Sequence, residues 1–292
     1  MNLQGIVIQI LSGISTGMVI FLIAVGLSLV FGTLRILNLA HGALYMIGAY
    51  LCYWISSLIT QQAGGFWWAL LLAPFGVALF GGLLEVVLLR RIYDREHLDQ
   101  YLLTFALVLV IGDLCKLAWG VEYHLVPAPW PFQGPVFILG MPFPSYNMFL
   151  IGCGPLVFAG LWALIRYTRL GKVIRAMTYN REMANALGTN VPMVYTVVFM
   201  LGCWLAGLGG TLVVPTASAM PGMDMIILIE CFIIIVIGGL GSLSGAFLGS
   251  LIFGLVNAFG ILVAPRLAVA FAFILMIIVL IIRPWGLMGE PE

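Results

Sequence analysis

Long apolar runs recur along the whole chain, and they constrain its fold more than any other feature. A helix needs about 20 predominantly apolar residues to cross a bilayer. The runs are Ile6–Phe31, Leu39–Ile59, Phe66–Leu89, Leu102–Trp119, Met148–Ile165, Val194–Val214, Met225–Ile237, Ala246–Val263 and Leu267–Ile282. With 63% hydrophobic and 8% charged residues, the chain has too little polar surface to stay dissolved in water. The sequence therefore predicts an all-α polytopic membrane protein, a single transmembrane domain over residues 1–292.

Glycine-rich interruptions leave the number of spans at about eight or nine. Met225–Ile237 is too short to cross a bilayer alone, and one interpretation is a half-helix that Ala246–Val263 continues past GGLGSLSG, Gly238–Gly245. A second interruption, GTLRILNLAHG at Gly32–Gly42, lies in the first half of the chain. Paired interruptions of this kind are typical of inverted repeats around a central transport pathway.

The distribution of basic residues predicts the orientation in the membrane. Lys and Arg favour cytoplasmic loops, and they follow the third, fifth and last apolar runs: Arg90, Arg91, Arg95, Arg166, Arg169, Lys172, Arg175, Arg181 and Arg283. Placing these residues in the cytoplasm puts the N-terminus outside, the C-terminus inside and residues 166–192 in a cytoplasmic loop. Residues 120–146 then form an extracytoplasmic loop, rich in proline and aromatic residues and irregular. That loop is either an interfacial segment or part of a surface that receives a partner.

The segment TRLGKVIRAMTYNREMANALGTNV, Thr168–Val191, is charged where almost nothing else is. Its residues Arg175–Gly188 predict a helix that ends at Gly188. Apolar residues alternate with the charges, as in an amphipathic helix that docks in a groove of a partner protein. The residues alone equally allow a helix that lies on the lipid surface.

Several polar residues lie inside apolar runs, where each must find a partner or face water. Asn38, His41 and Gly42 favour either a discontinuous helix along a pathway or a short cytoplasmic turn anchored by Arg35. Glu230 is either a functional carboxylate within the membrane or an inert group near the outer interface. Two further predictions are simpler. Asp113 and Lys116 are expected to form a local ion pair. Glu85, which precedes Arg90 and Arg91, is expected at the membrane interface.

Sequence motifs of nucleotide-binding and hydrolytic enzymes are absent from the sequence. It holds no GxxxxGK[ST] phosphate-binding loop, HExxH or GxSxG, so no catalytic residue is predicted, and an ATPase that drove transport would be another chain. The five cysteines include no CxxC and suit apolar packing, so no metal site is predicted. The net charge of +1 gives no indication of nucleic-acid binding.

Four blocks of sequence resemble the branched-chain amino acid ABC transporter permeases of the LivH type. They are GLSLVFGTLRILNLAHGALYMIGAY (Gly26–Tyr50), the charged segment Thr168–Val191, IIIVIGGLGSLSGAFLGSLIFGLV, and the C-terminal IIRPWGLMG. The blocks cover both ends and the middle of the chain, so together they are specific. Met183 and Asn185 depart from the small residues common in such coupling helices.

The resemblance implies a subunit of an ATP-driven importer for branched-chain or related hydrophobic amino acids, without its own cofactor. Its implied partners are two ATP-binding subunits that carry the ATP, a sister permease in a heterodimer and an extracytoplasmic substrate-binding protein, at the inner (plasma) membrane of a prokaryote. The residues assigned to coupling with the ATPase are Arg169, Gly171, Arg175, Glu182, Ala184, Leu187 and Gly188. Those assigned to the translocation pathway are Asn38, His41, Gly42, Glu230, Gly238, Gly239, Gly241 and Ser242.

Two other functions stay open at this point. Close relatives of such permeases are associated with urea and short amides, so the substrate can change while the architecture does not. An ion-coupled secondary transporter working alone would need intramembrane ionisable groups, and Glu230, Asp113 and His41 are the candidates.

Overall fold

The described part of the chain is almost entirely helical. The computed structural model describes residues 3–59, 64–93 and 95–289. Its helices are α1 (Leu3–Leu34), α2 (His41–Leu58), α3 (Gly65–Val87), α4 (His97–Trp119), α5 (Ser145–Tyr167), α6 (Arg169–Tyr179), α7 (Arg181–Ala186), α8 (Val191–Val213), α9 (Met223–Gly238), α10 (Leu243–Val263) and α11 (Ala268–Ile282), with 3-10 turns at Leu89–Ile92 and Pro265–Leu267. Strands β1 (Pro135–Ile138) and β2 (Met141–Pro144) pair antiparallel in the loop before α5.

Each of the nine apolar runs corresponds to one helix, and the prediction of an all-α polytopic membrane protein is confirmed. Six of the helices are long and apolar enough to cross a membrane: α1, α3 with its following 3-10 turn, α4, α5, α8 and α10. The loop over residues 120–146 has no helix before α5 begins, as expected, but it includes the small β1–β2 hairpin.

The chain reverses direction between α9 and α10, so the interpretation of one helix continued through the glycines is wrong. In a continuous helix, residues 234 and 249 would be about 22 Å apart. In the structure, a Cβ atom on Gly249 would lie only 2.7 Å from the carbonyl oxygen of Ile234. The oxygen of Ser242 caps α10 by accepting from the N–H of Gly245 at 3.0 Å, so the four residues between the helices form a tight turn.

The connection between α1 and α2 runs back along α1 rather than turning at its end. Residues 35–40 are not helical, and the next residue, His41, places Nε2 3.0 Å from the carbonyl oxygen of Ile23. Ile23 lies about 16 Å before the end of α1. Helix α2 therefore begins beside the middle of α1, and a non-helical segment of six residues, 35–40, joins the two helices.

Helix α8 lies at the centre of the bundle, packed against α1, α2 and α3. Small residues let the backbones approach closely. A Cβ atom on Gly48 of α2 would lie 2.6 Å from the carbonyl oxygen of Gly207 in α8. Likewise, a Cβ atom on Gly26 of α1 would lie 2.8 Å from the carbonyl oxygen of Gly202.

One end of the bundle collects the ends of α1, α3, α5 and α9, where most of the basic residues lie. Here Gly32 touches Gly241, and the N–H of Leu287 donates to Ile237 at 2.8 Å. Arg90 after α3 reaches Thr196 near the start of α8. We call this region the basic end; its assignment to the cytoplasm remains a prediction.

Gly48→Val is expected to destabilise the bundle, since its Cβ would press on the backbone of α8, and overpacking of this kind costs about 1–3 kcal/mol. The matched control is Gly160→Val in α5, where an added Cβ meets nothing within 4 Å. Thermal unfolding in detergent measures the effect. Equal melting temperatures for the two variants would contradict the close α2–α8 packing.

Candidate functional site

The charged segment after α5 forms two short helices at the basic end. The hydroxyl of Thr168 accepts from the N–H of Gly171 at 3.1 Å and caps α6. The side-chain oxygen of Asn180 accepts from the N–H of Met183 at 2.9 Å and caps α7. Such caps satisfy backbone N–H groups that have no partner within the helix.

The prediction of one helix over Arg175–Gly188 is wrong, because the backbone at Asn180 is extended, with φ −153° and ψ 103°. The stop at Gly188 is confirmed. Its φ of +86° is a conformation that glycine adopts at little cost, and the N–H of Thr189 donates to the carbonyl of Ala184 at 3.1 Å.

The seven residues assigned to coupling divide between surface and interior. Gly171 and Ala184 are buried and pack α6 and α7 onto the bundle. The exposed members are Arg169, Arg175, Glu182, Leu187 and Gly188. The guanidinium of Arg175 donates to the carbonyl of Ile165 and so ties α6 to the end of α5.

Large apolar side chains also point into solvent from these two helices and from the residue that follows α7. Tyr179 is 94% exposed, Met183 58% and Leu187 80%, at a position where the membrane does not cover the bundle if the basic end is cytoplasmic. Exposed apolar side chains grouped among charges are typical of interaction sites. We call these three residues, with the neighbouring charges of α7, the coupling surface.

A buried ionic cluster lies directly behind α7, and the sequence did not reveal it. Glu85 of α3 is fully buried. Its carboxylate accepts from the hydroxyls of Tyr93 at 2.9 Å and Thr196 at 2.8 Å, and it pairs with Arg90 at 3.2 Å. Burial, reinforced by the carboxylate of Glu85, raises the pKa of Tyr93, so its hydroxyl stays protonated and donates.

Aromatic contacts join this cluster to the coupling surface. The ring of Tyr93 meets that of Tyr195 edge to face, with centroids 5.6 Å apart. The guanidinium of Arg181, the first residue of α7, lies over the ring of Tyr195, 5.3 Å from its centroid. This is a cation–π contact. Helices α3, α7 and α8 are thus held together by one polar and aromatic network.

The pathway residues Asn38, His41 and Gly42 are buried inside the bundle. The side-chain oxygen of Asn38 accepts from the N–H of Ala40 at 3.1 Å and supports the start of α2. The Nδ2 of Asn38 and the Nδ1 of His41 have no hydrogen-bond partner among the described residues. A Cβ on Gly42 would collide with the carbonyl oxygen of Asp224, so glycine is needed where α2 meets α9.

The glycine-rich turn lies at the basic end, whereas His41 lies beside the middle of α1. Gly238 and Gly239 are buried against residues 245 and 285–289, while Gly241 meets Gly32. The hydroxyl of Ser28 donates weakly to the carbonyl of Ser242 at 3.4 Å. The two glycine-rich interruptions therefore do touch, but at Gly32 and Gly241 rather than around the polar residues of the first.

Glu230 lies near the middle of α9 and lines a cavity of about 370 Å³. The first half of α1, the start of α5, the loop before α9 and α9 itself form its walls. Tyr45, one turn after His41 in α2, also lines it. We call this space the Glu230 cavity; among the residues assigned to the pathway, only Glu230 faces it.

At the end of the bundle opposite the basic end, a wider crevice of about 790 Å³ lies between α2, α3 and the loop before α5. Its lining includes Tyr53, Phe66, Trp67 and Trp130. The loop is held to the bundle, since His124 stacks on Tyr53 with centroids 4.1 Å apart.

One simpler expectation concerns a pair of charged groups. Asp113 and Lys116 form the predicted local pair, with 2.9 Å between Lys116 Nζ and the Asp113 carboxylate, and both are exposed. Within residues 3–59, 64–93 and 95–289, no group of three His, Cys, Asp or Glu side chains is arranged to hold a metal ion.

The chain is similar to known transport proteins. A family model described as branched-chain amino acid transport system / permease component matches residues 9–280. The permease BraD of the Pseudomonas aeruginosa high-affinity branched-chain amino acid transport system is 29% identical, covering 97% of this chain and 96% of BraD. LivH of the corresponding Escherichia coli system is 27% identical over 97% of this chain and 96% of LivH. The Escherichia coli ribose import permease RbsC matches only 41% of this chain and 37% of its own length, at 31% identity. No solved structure matches significantly.

Tyr93→Phe tests the buried cluster. Removing the hydroxyl takes one charge-assisted hydrogen bond from the Glu85 carboxylate, at a cost of about 1.5–3 kcal/mol. Tyr101→Phe is the matched control, because no hydrogen bond of its hydroxyl occurs within the described residues. Thermal unfolding should show a lower melting temperature for Tyr93→Phe alone; a fall of the same size in both variants would count against the cluster.

Proposed function

Because the chain belongs to the family of branched-chain amino acid transport permease components, we propose that it is the transmembrane permease of an ATP-driven importer for branched-chain or related hydrophobic amino acids. The observation that carries this function is the family match, which extends over residues 9–280. A permease of this family is a transport subunit and not an enzyme. Transport of the substrate therefore depends on conformational change rather than on covalent chemistry.

Coupling to an ATPase is the part of the proposal that the basic end supports. The chain has no phosphate-binding loop of its own, so the nucleotide belongs to partner subunits. The coupling surface offers exposed Tyr179, Met183 and Leu187 beside Arg181 and Glu182. An apolar patch rimmed by charges suits a protein partner better than lipid alone. We assign this surface to the ATP-binding subunits and the basic end to the cytoplasm.

The remaining partners follow from the same assignment. A second permease, a sister chain, completes the pathway, and two ATP-binding subunits bind below the pair. An extracytoplasmic binding protein docks at the opposite end, where the aromatic crevice and the loop over residues 120–146 lie. The whole assembly resides in the plasma membrane of a prokaryotic cell, with this chain as a multi-pass subunit.

The substrate class rests on the full-length relatives. BraD and LivH, which match almost end to end, are named for branched-chain amino acids, whereas the ribose permease matches less than half of the chain. We therefore propose leucine and its analogues as the substrates, in preference to sugars, urea or short amides.

Uptake by proteoliposomes tests the proposed function. The vesicles hold the complete assembly with its binding protein outside and ATP inside, and radiolabelled leucine, urea and ribose are compared. Leucine uptake that needs both ATP and the binding protein supports the importer. Uptake driven by a proton gradient without ATP would instead indicate an ion-coupled transporter. A preference for urea or ribose would change the assignment of the substrate.

Leu187→Asp tests the coupling surface. A carboxylate in an apolar contact should weaken binding of the ATP-binding subunits and reduce ATP-driven uptake at least about tenfold, which corresponds to about 1.4 kcal/mol. Leu187 suits this test better than Gly188, whose positive φ would add backbone strain to any substitution. Co-purification of the ATPase and leucine uptake are measured together.

The control for Leu187→Asp is Leu98→Asp, since Leu98 is also exposed, near the start of α4. It should co-purify with the ATPase and transport normally. Normal association and uptake in Leu187→Asp would remove α7 from the ATPase interface, while leaving the importer assignment untouched.

A further inference from the structure

Two carboxylates in the helices of this chain, Glu85 and Glu230, have different surroundings: Glu85 is fully buried, and Glu230 is partly exposed. Glu85 is surrounded by an arginine and two hydroxyls that neutralise and solvate it. Glu230, in contrast, forms no hydrogen bond and no salt bridge with any group in the described residues. Its near neighbours along α9 are apolar: Ile226, Ile227, Ile233 and Ile234. An unpaired carboxylate in apolar surroundings is costly unless a cation reaches it.

The space in front of this carboxylate has the size of a small-molecule site. The Glu230 cavity, about 370 Å³, falls within the range of about 300–1,000 Å³ for ligand pockets. Much of its wall is hydrocarbon from several helices: Val19, Ile20, Leu150, Val213, Ile226 and Ile227. A ligand that fits this wall carries a compact aliphatic group.

Neutral hydrogen-bonding groups complete the lining: Ser15, Thr16, Tyr45, Asn147, Thr216 and Ser218. Ser15 and Thr16 of α1 and Asn147 of α5 face the cavity, and none of their side chains forms a hydrogen bond with another described residue. Hydroxyl and amide groups donate to a carboxylate without adding charge. The cavity therefore combines one anionic group, neutral donors and an apolar wall.

That combination corresponds to the parts of a zwitterionic aliphatic amino acid. We propose that the Glu230 cavity binds the amino acid in transit, with the Glu230 carboxylate holding its ammonium group and Ser15, Thr16 and Asn147 donating to its carboxylate. This inference rests on the proposed function and adds a recognition site within the membrane-embedded chain. The other carboxylate of α9, Asp224, does not line this cavity.

A structural or proton-binding role for Glu230 predicts different behaviour. If the carboxylate only supported the fold, replacing it would lower stability, uptake and ATPase activity together. If it bound only a proton, uptake would depend on the proton gradient and not on the ammonium group of the substrate. Recognition of the ammonium group affects uptake while ATP hydrolysis continues.

The test uses the complete assembly in proteoliposomes, with Glu230→Gln and Glu230→Asp compared with the native chain. Glu230→Gln should reduce leucine uptake at least about tenfold, as expected for the loss of one ion pair of about 1.4 kcal/mol, while ATP hydrolysis stimulated by the binding protein persists. Glu230→Asp, which keeps the charge, should restore part of the uptake. The exposed Glu96→Gln is the matched control for a carboxylate-to-amide change and should transport normally.

A second measurement separates failure of the site from failure of the proposed function. The purified assembly without its binding protein is unfolded thermally with excess L-leucine or with 4-methylpentanoate, which lacks the ammonium group. A ligand that binds the folded state raises the melting temperature. L-leucine alone should stabilise the native chain, and neither compound should stabilise Glu230→Gln.

Each outcome decides the inference. Leucine uptake at the native rate in Glu230→Gln, or a parallel loss of uptake and ATPase activity that Glu230→Asp does not restore, overturns it while the importer stands. If the native assembly transports no amino acid, the proposed function fails, and the thermal measurement alone decides whether the cavity binds an ammonium group.

Discussion

The constraint on which the rest of this structure depends is that lipid offers no hydrogen bonds, so polar groups within the membrane must be satisfied by the protein. Most of the chain satisfies this constraint by forming helices, in which the backbone N–H and C=O groups bond to each other. Where the helices are interrupted, side chains take over: Asn38 bonds the backbone before α2, and Ser242 caps α10. Both interruptions lie against other helices rather than in lipid, with Gly32 touching Gly241. At Gly32 and Gly241, the two interruptions therefore cover part of each other's backbone.

The same constraint gives meaning to the difference between Glu85 and Glu230. Satisfying Glu85 takes Arg90 and Tyr93, in and just after the 3-10 turn that follows α3, and Thr196 of α8, and a site so fully paired holds elements together. Within the part of the chain that the structure describes, Glu230 has no such partners, but it does have a cavity in front of it. In a medium where an unpaired charge is expensive, an unsatisfied carboxylate next to open space indicates a group that something else must complete.

The apolar runs predicted all nine long helices and the fold class because membrane spans leave a strong compositional signal. The stop at Gly188 was also readable, since positive φ selects glycine. The break at Asn180 was not, because the residues on both sides of it are helical and only the extended backbone at Asn180 separates α6 from α7. The return of residues 35–40 along α1 and the Glu85 cluster depend on contacts between distant segments, such as His41 with Ile23. Such contacts have no local signature in one sequence.

Helix α8 connects the two regions to which function is assigned. Tyr195, near its start, contacts Arg181 of α7, and Val213, at its end, lines the Glu230 cavity. These residues are about 27 Å apart along a continuous helix, and close glycine contacts with α1 and α2 fix its middle. Because one continuous helix carries both contacts, a change in the position of α8 would alter the contact with Arg181 and the cavity wall together. The ionic cluster at Glu85 ties α3 to the same end of α8.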